Sequence, residues 1–258
     1  MIFDAHAHVY PGTAGFWKTA SSAEALIQSM DRAGVSRAAV IAIEPHLPTA
    51  GMCAAIAPYA DRLVPIGSVE PHGDTAVQDV ARQVEELGVR GIKLHPRLQG
   101  IQFSDLPRLE AIATQCGAVG VPLIICSFLG GRDLFRGRTL EWSHDLAHLC
   151  PGTTIVLAHA GGYRPLDALM VLKANPNIYV DLSFSPLYFA DSSVRQDLEC
   201  LVRKADPRRV LFGSDFPEAS LDASVEWMQD VARRLPLVAA HRDAILYENA
   251  ARLFGGGD

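Results

Sequence analysis

The chain has 258 residues, 49% hydrophobic and 20% charged, with 23 Lys and Arg against 29 Asp and Glu and a formal charge of −6. Those proportions exclude disorder and fibrous repeats, and an acidic chain with no basic run has nothing to cover a phosphate backbone, so no nucleic-acid partner is expected. Five cysteines without paired short spacings exclude a disulfide framework or zinc ribbon, and no leader or bilayer-spanning stretch is visible, so a reduced, cytoplasmic protein without a membrane partner is expected.

Short runs rich in Val, Ile and Leu at 2–9, 37–44, 63–69, 90–95, 121–127, 154–159, 178–183 and 210–214 read as strands covered on both faces. Amphipathic stretches at 22–33, 51–60, 75–87, 106–119, 139–149, 165–174, 192–204 and 221–235 read as the helices between them. Ser21-Ser22 ahead of Glu24, and Gly34 and Gly88 just past two of these stretches, supply helix punctuation. Eight strand–helix units without a linker predict one domain over 1–258, an α/β fold forming a single closed (β/α)8 TIM barrel. An extra C-terminal helix, 241–253, is expected to pack across the barrel bottom or the last helices. A doubly wound open sheet is weaker, because no glycine-rich phosphate loop follows the first strand.

In such a barrel, chemistry gathers at the C-terminal ends of the strands, so polar residues there are the candidates. Strand one ends Asp4-Ala5-His6-Ala7-His8, and alternation puts Asp4, His6 and His8 on one face. Two imidazoles so placed can share a divalent ion such as zinc, although the pair alone is a weak signal. Strand four gives Lys93 and His95 on one face, and a lysine inside a barrel mouth needs an anion, from a neighbour or a substrate. Strand six ends Ala158-His159-Ala160-Gly161-Gly162, with His159 sharing its parity with Ile155 and Leu157. Strand eight ends Gly213-Ser214-Asp215-Phe216-Pro217, and barrel closure brings Asp215 beside the strand-one pair. Any one of these is more often a structural residue than a ligand. Four strand ends aimed at one volume is a rarer coincidence.

Taken jointly and in order, these segments, with Gly91-Ile92-Lys93-Leu94-His95-Pro96 and the tail Glu248-Asn249-Ala250-Ala251-Arg252-Leu253-Phe254, resemble the amidohydrolase-2 branch of the amidohydrolase superfamily. That branch includes aminocarboxymuconate-semialdehyde decarboxylase and its relatives. The resemblance spans residues 4 to 254 and implies a metal-dependent barrel acting on small, often carboxylated or lactone substrates. It implies His6, His8 and Asp215 as metal ligands and His159 as an assistant to the chemistry.

One position departs from the pattern. The family commonly ends strand five with a ligating histidine, and here the strand ends Ile124-Ile125-Cys126. Cys126 reads equally as a zinc-binding thiolate or as a small buried packing residue, with His159 the alternative third ligand. Some relatives, such as 2-pyrone-4,6-dicarboxylate lactonase, work without metal. The other cysteines, Cys53, Cys116, Cys150 and Cys200, fall in helical patterns and read as packing residues. After strand five, Arg132, Arg136 and Arg138 face a single Asp133, and Arg164 follows the Gly161-Gly162 pair. Any one arginine reads best as solvated, but at least one is expected to grip a substrate carboxylate.

The leading expectation is metal-assisted hydrolysis of a small carboxylated, lactone or amide substrate. One divalent ion, zinc or else manganese, is held by His6, His8, Asp215 and either His159 or Cys126, and activates a water. Asp215 and His159 serve as catalytic groups, while Lys93, His95, Arg132 or Arg164 orient the substrate. Alternatives using the same residues are non-oxidative decarboxylation and a metal-free lactonase; a barrel that only binds a ligand is a further one. The oligomeric state stays open, a homo-oligomer included.

Overall fold

The computed structural model describes residues 1–10, 21–128 and 138–255. Eight parallel strands run in sequence order around one sheet: β1 (Phe3–Ala7), β2 (Arg37–Ile41), β3 (Leu63–Ser68), β4 (Ile92–Leu94), β5 (Leu123–Cys126), β6 (Ile155–Ala158), β7 (Ile178–Asp181) and β8 (Val210–Leu211). Short backbone bonds close β8 onto β1: Ala5 N donates to Phe212 O (2.9 Å), Asp215 N to His6 O (2.7 Å) and His8 N to Phe216 O (2.7 Å). The fold is a TIM barrel.

Helices follow the strands where the sequence pattern puts them, and local chemistry sets their ends. Ser22 Oγ accepts from Ala25 N at 3.2 Å to start the helix Ala23–Ala33, and Gly34, at φ 70°, stops it. The expected helix 51–60 is instead an α-helix, Thr49–Ile56, followed by a 3-10 turn at Ala57–Tyr59, because Pro58 has no N–H to extend it. No helix among the described residues is long and apolar enough to cross a membrane.

Two apolar layers hold the barrel. The outward residues of the strands, such as Ile92, Leu94, Leu123, Ile125, Ile155 and Leu157, pack under the helices. Inward residues form the inner core, with Phe3, Ile41, Ile66, Ile124, Val156 and Leu211 among them. The C-terminal segment is a π turn, Ala244–Glu248, running into a helix, Asn249–Phe254. Its Ala250 and Phe254 join that inner cluster, and the Phe3 ring lies 6.4 Å from Phe254 and 6.2 Å from Tyr247. The segment therefore plugs the barrel bottom, where each fully buried phenylalanine contributes about 1.5–3 kcal/mol.

Candidate active site and metal centre

Strand alternation places some of the candidate residues, and breaks in it place the rest. On β4 and β5, Ile92 and Leu94, and Leu123 and Ile125, face the helices, so Lys93, His95 and Cys126 point inward. On β1 the register shifts between Asp4 and Ala7. Phe3 and Ala5 pack inside while Ala7 packs outside, so Asp4 does not share the face of His6 and His8. It turns to the seam, accepting from Ser214 N (2.8 Å), Ser214 Oγ and His6 N (3.1 Å). His159 shares the parity of Ile155 and Leu157, which face outward, yet it lines the cavity. The chain reverses it: β6 ends at Ala158 and His159 takes a left-handed φ of 66°, followed by Ala160 at 47°. Phe184 (62°) and Asp215 (69°) do the same after β7 and β8. Such conformations cost a non-glycine residue about 1–3 kcal/mol each and gather at functional sites.

One cavity at the mouth takes in His6, His8, Lys93, His95, Cys126, His159 and Asp215. Among the described residues, His6, His159 and Asp215 offer donor atoms that all lie within 4.8 Å of one another. His8 joins from the other side, with Nε2 3.3 Å from Asp215 Oδ1, where His6 Nε2 stands at 3.5 Å. Cys126 lies outside the cluster and hydrogen-bonds His95 and His159. Arg164 does not reach the cavity: Glu141 (3.0 Å) and Asp167 (2.6 Å) hold it on the helices outside. Arg138 lies over the Phe103 ring, 4.6 Å from its centroid. Arg132 and Arg136 lie outside the described residues.

The sequence pattern passed over Asp181, and it braces both sides of the cluster. Its Oδ2 is 2.9 Å from His6 Nδ1, while Oδ1 accepts from Ser183 N (2.9 Å), from Ser183 Oγ and from His159 N (3.2 Å). Ser183 Oγ in turn meets His159 Nδ1 at 2.9 Å. A signal existed, since Asp181 ends a strand as the other candidates do. Gly213 allows this crowding, because a Cβ there would stand 3.2 Å from His6 Cβ and 3.1 Å from Ser183 Cβ. Phe128 and Phe184, also passed over, form the apolar wall, edge to face at 5.1 Å and each 6.2 Å from the His159 ring. Their positions carried only a hydrophobic label in sequence.

The electrostatics follow from burial and close pairing. Burial and Lys93 push the His6 pKa down to about 4, so its ring is neutral near pH 7. Burial likewise lowers Lys93, partly offset by Cys126, Asp181 and Asp215. Burial works to raise Asp181 and Asp215, but the surrounding histidines hold both carboxyls below their ordinary values. Cys126 behaves the same way, its thiol held well below normal by His95 and His159. Burial would lower His159, and Cys126 and Asp215 raise it instead.

The donor chemistry fits a divalent cation. Nδ1 of His6 faces a carboxylate and Nδ1 of His8 faces the Ile41 carbonyl at 2.8 Å, so each carries its proton there. Both Nε2 atoms then turn to the same oxygen of Asp215. Acceptors converging in this way are what a metal ion satisfies.

Residues 3–256 match the amidohydrolase family model Amidohydro_2. The chain belongs to the amidohydrolase-2 family. It is therefore an enzyme of a family typically dependent on a divalent metal and acting on small molecules. The 6-methylsalicylic acid decarboxylase acuB of Aspergillus aculeatus is 34% identical over 121 residues, which is 40% of this chain and 36% of that protein. The match thus spans little more than a third of the curated relative. Among solved structures, an uncharacterized TIM-barrel protein of Bordetella bronchiseptica superposes with a TM-score of 0.77 at 22% identity, over 89% of this chain and 81% of the other. The 5-carboxyvanillate decarboxylase LigW of Sphingomonas paucimobilis gives 0.72 at 14% identity, over 99% of each. At those identities the likeness is one of fold.

Proposed function

We propose that this amidohydrolase-2 enzyme is a metal-dependent, non-oxidative decarboxylase of a hydroxyaromatic acid. The observation that carries the reading is one cavity joining the His6, His8, His159 and Asp215 donor group to an aromatic wall of Phe128 and Phe184. A ring seated against that wall makes offset or edge contacts worth about 0.5–1.5 kcal/mol beyond its area burial. The partial likeness to a 6-methylsalicylic acid decarboxylase supports the same class.

His6, His8 and Asp215 would hold the ion, with Asp181 fixing His6 Nδ1 so that Nε2 is free to ligate. A divalent ion bound there, zinc or manganese, would supply positive charge that draws electron density from the substrate. The bond from ring carbon to carboxyl carbon breaks, carbon dioxide leaves, and the electron pair stays on the ring. His159, between Cys126 and Asp215, delivers the proton that takes the vacated place on carbon. Lys93, fully buried and 3.3 Å from His6 Nε2, stands on the cavity floor beside the ligand cluster. Five cysteines, all free, support a reduced compartment such as the cytoplasm.

The test is a panel of hydroxybenzoic acids, 6-methylsalicylate included, beside a panel of lactones, with protein reloaded with zinc or manganese. Expected are carbon dioxide release from a hydroxybenzoate, its loss on chelation and its return with metal. Lactone opening without carbon dioxide release would restore hydrolysis, which the strand-end pattern alone favours.

A further inference from the structure

Charge at the cavity mouth is polarised. Arg97 lines the cavity just after β4, and Glu218 lines it just after β8. In an eight-stranded barrel these strands stand opposite one another, so one rim is positive and the other negative. The basic groups deeper in the cavity are engaged: Lys93 faces His6 Nε2 at 3.3 Å, and His95 Nδ1 accepts from Leu98 N at 3.4 Å. Arg97 differs. It is exposed, and among the described residues it has no hydrogen bond or ion pair.

Its backbone, by contrast, is fixed. Arg97 sits in the short helix Pro96–Gln99, whose first turn is capped by His95 Nδ1 accepting from Leu98 N at 3.4 Å. Buried Gln99 bolts that turn to three neighbours: it accepts from His95 N (2.8 Å) and donates to Glu44 O (2.9 Å) and Val69 O (2.8 Å). A guanidinium without a partner on an anchored turn is a prepared anion site, and its planar fork matches a carboxylate.

We propose that Arg97 selects the substrate by binding a second acidic group, so the preferred class is an aromatic acid carrying two acidic substituents. The proposal rests on the aromatic-acid reading above. The donor cluster belongs to β1, β6 and β8; from β4 the long Lys93 side chain reaches it, while Arg97 lies at the exposed rim after that strand. A ring with its reacting carboxylate at that cluster, lying along Phe128 and Phe184, turns its far edge toward Arg97. Glu218 repels the reverse orientation.

The test measures binding alone, by calorimetry on the metal-loaded full chain, with benzoate and benzene-1,3-dicarboxylate as probes. Wild type is expected to bind the dicarboxylate at least about tenfold tighter, the size of one charge-assisted pair. Arg97→Gln is expected to bring the ratio close to one, and Arg97→Lys to leave an intermediate ratio, with the melting temperature unchanged in both. A wild type that binds both probes alike, or neither, overturns the proposal, as does a ratio unchanged in Arg97→Gln. Carbon dioxide release plays no part in this ratio. A decarboxylase with no dicarboxylate preference therefore sinks the Arg97 assignment alone, and a preference without decarboxylation sinks the reaction alone.

Discussion

The two halves of the barrel mouth are built differently. On the half made by β1, β6, β7 and β8, each functional atom is held by another: Asp181 fixes His6 and, through Ser183, His159, while the Ile41 carbonyl fixes His8. On the half made by β4 and β5, two side chains reach across, Lys93 to His6 Nε2 and Cys126 to His159, and Arg97 has no partner among the described residues. An ion needs donors held in place before it arrives, whereas a substrate needs groups whose valences are open until it does. The braced half suits the metal and the other half suits the substrate.

The largest effect expected on the braced half comes from Asp215→Asn. The amide keeps the size and loses the charge that both Nε2 atoms share, so turnover should fall by about three orders of magnitude or more. Circular dichroism and melting establish that the variant folds. A folded variant with near-normal turnover removes Asp215 from its role. Next is Asp181→Asn, which touches no substrate. Its expected signature is metal affinity about 10–100-fold weaker, read by competition with a graded chelator. Unchanged affinity would leave Asp181 a packing residue.

How far the site could be read in sequence follows the same division. Period-two alternation put Lys93 and His95 on one face, the family resemblance picked out Cys126, and strand order made Asp215 a neighbour of His6. Alternation failed wherever the backbone leaves it: at the register shift that turns Asp4 aside, and at the left-handed His159, where a parity argument gives the wrong face. Asp181 was within reach of a search for titratable strand ends. Arg97 was not, because an arginine after a strand looks solvated until its neighbours are known to be paired elsewhere. The C-terminal plug is visible only in outline, since amphipathicity shows that 241–253 packs without showing where.

Asp4 gives a pH test of the seam beneath the braced half. Burial raises its carboxyl to about 7, against the bonds from Ser214 and His6 that favour the charged form. With the folded value raised above the unfolded one, its contribution is fully present below pH 3.8 and is lost as pH rises through 7. Asp4→Asn cannot titrate. The wild-type minus variant difference in stability should therefore fall steadily between pH 4 and 7, by about 1.4 kcal/mol for each pH unit at the steepest. Melting of the chelated proteins across that range measures it, and a difference independent of pH rejects the assignment.

The smallest effect belongs to Cys126, and it is the sharpest probe of the division between halves. The residue stands where relatives commonly carry a ligating histidine, yet its thiol turns to His95 and His159 and stays out of the donor cluster. If the braced half alone holds the metal, Cys126→Ser should keep full metal stoichiometry through the same chelator series, with turnover changed by less than about tenfold. What the serine loses is a neighbour that raises His159, so its effect should appear in the pH profile, with the limb assigned to His159 moving to lower pH. Cys126→His reaches further from the same strand end and adds a nitrogen donor, so it should retain metal against stronger chelation than wild type. A serine variant that releases its metal would move Cys126 into the donor set and place the ion between the two halves.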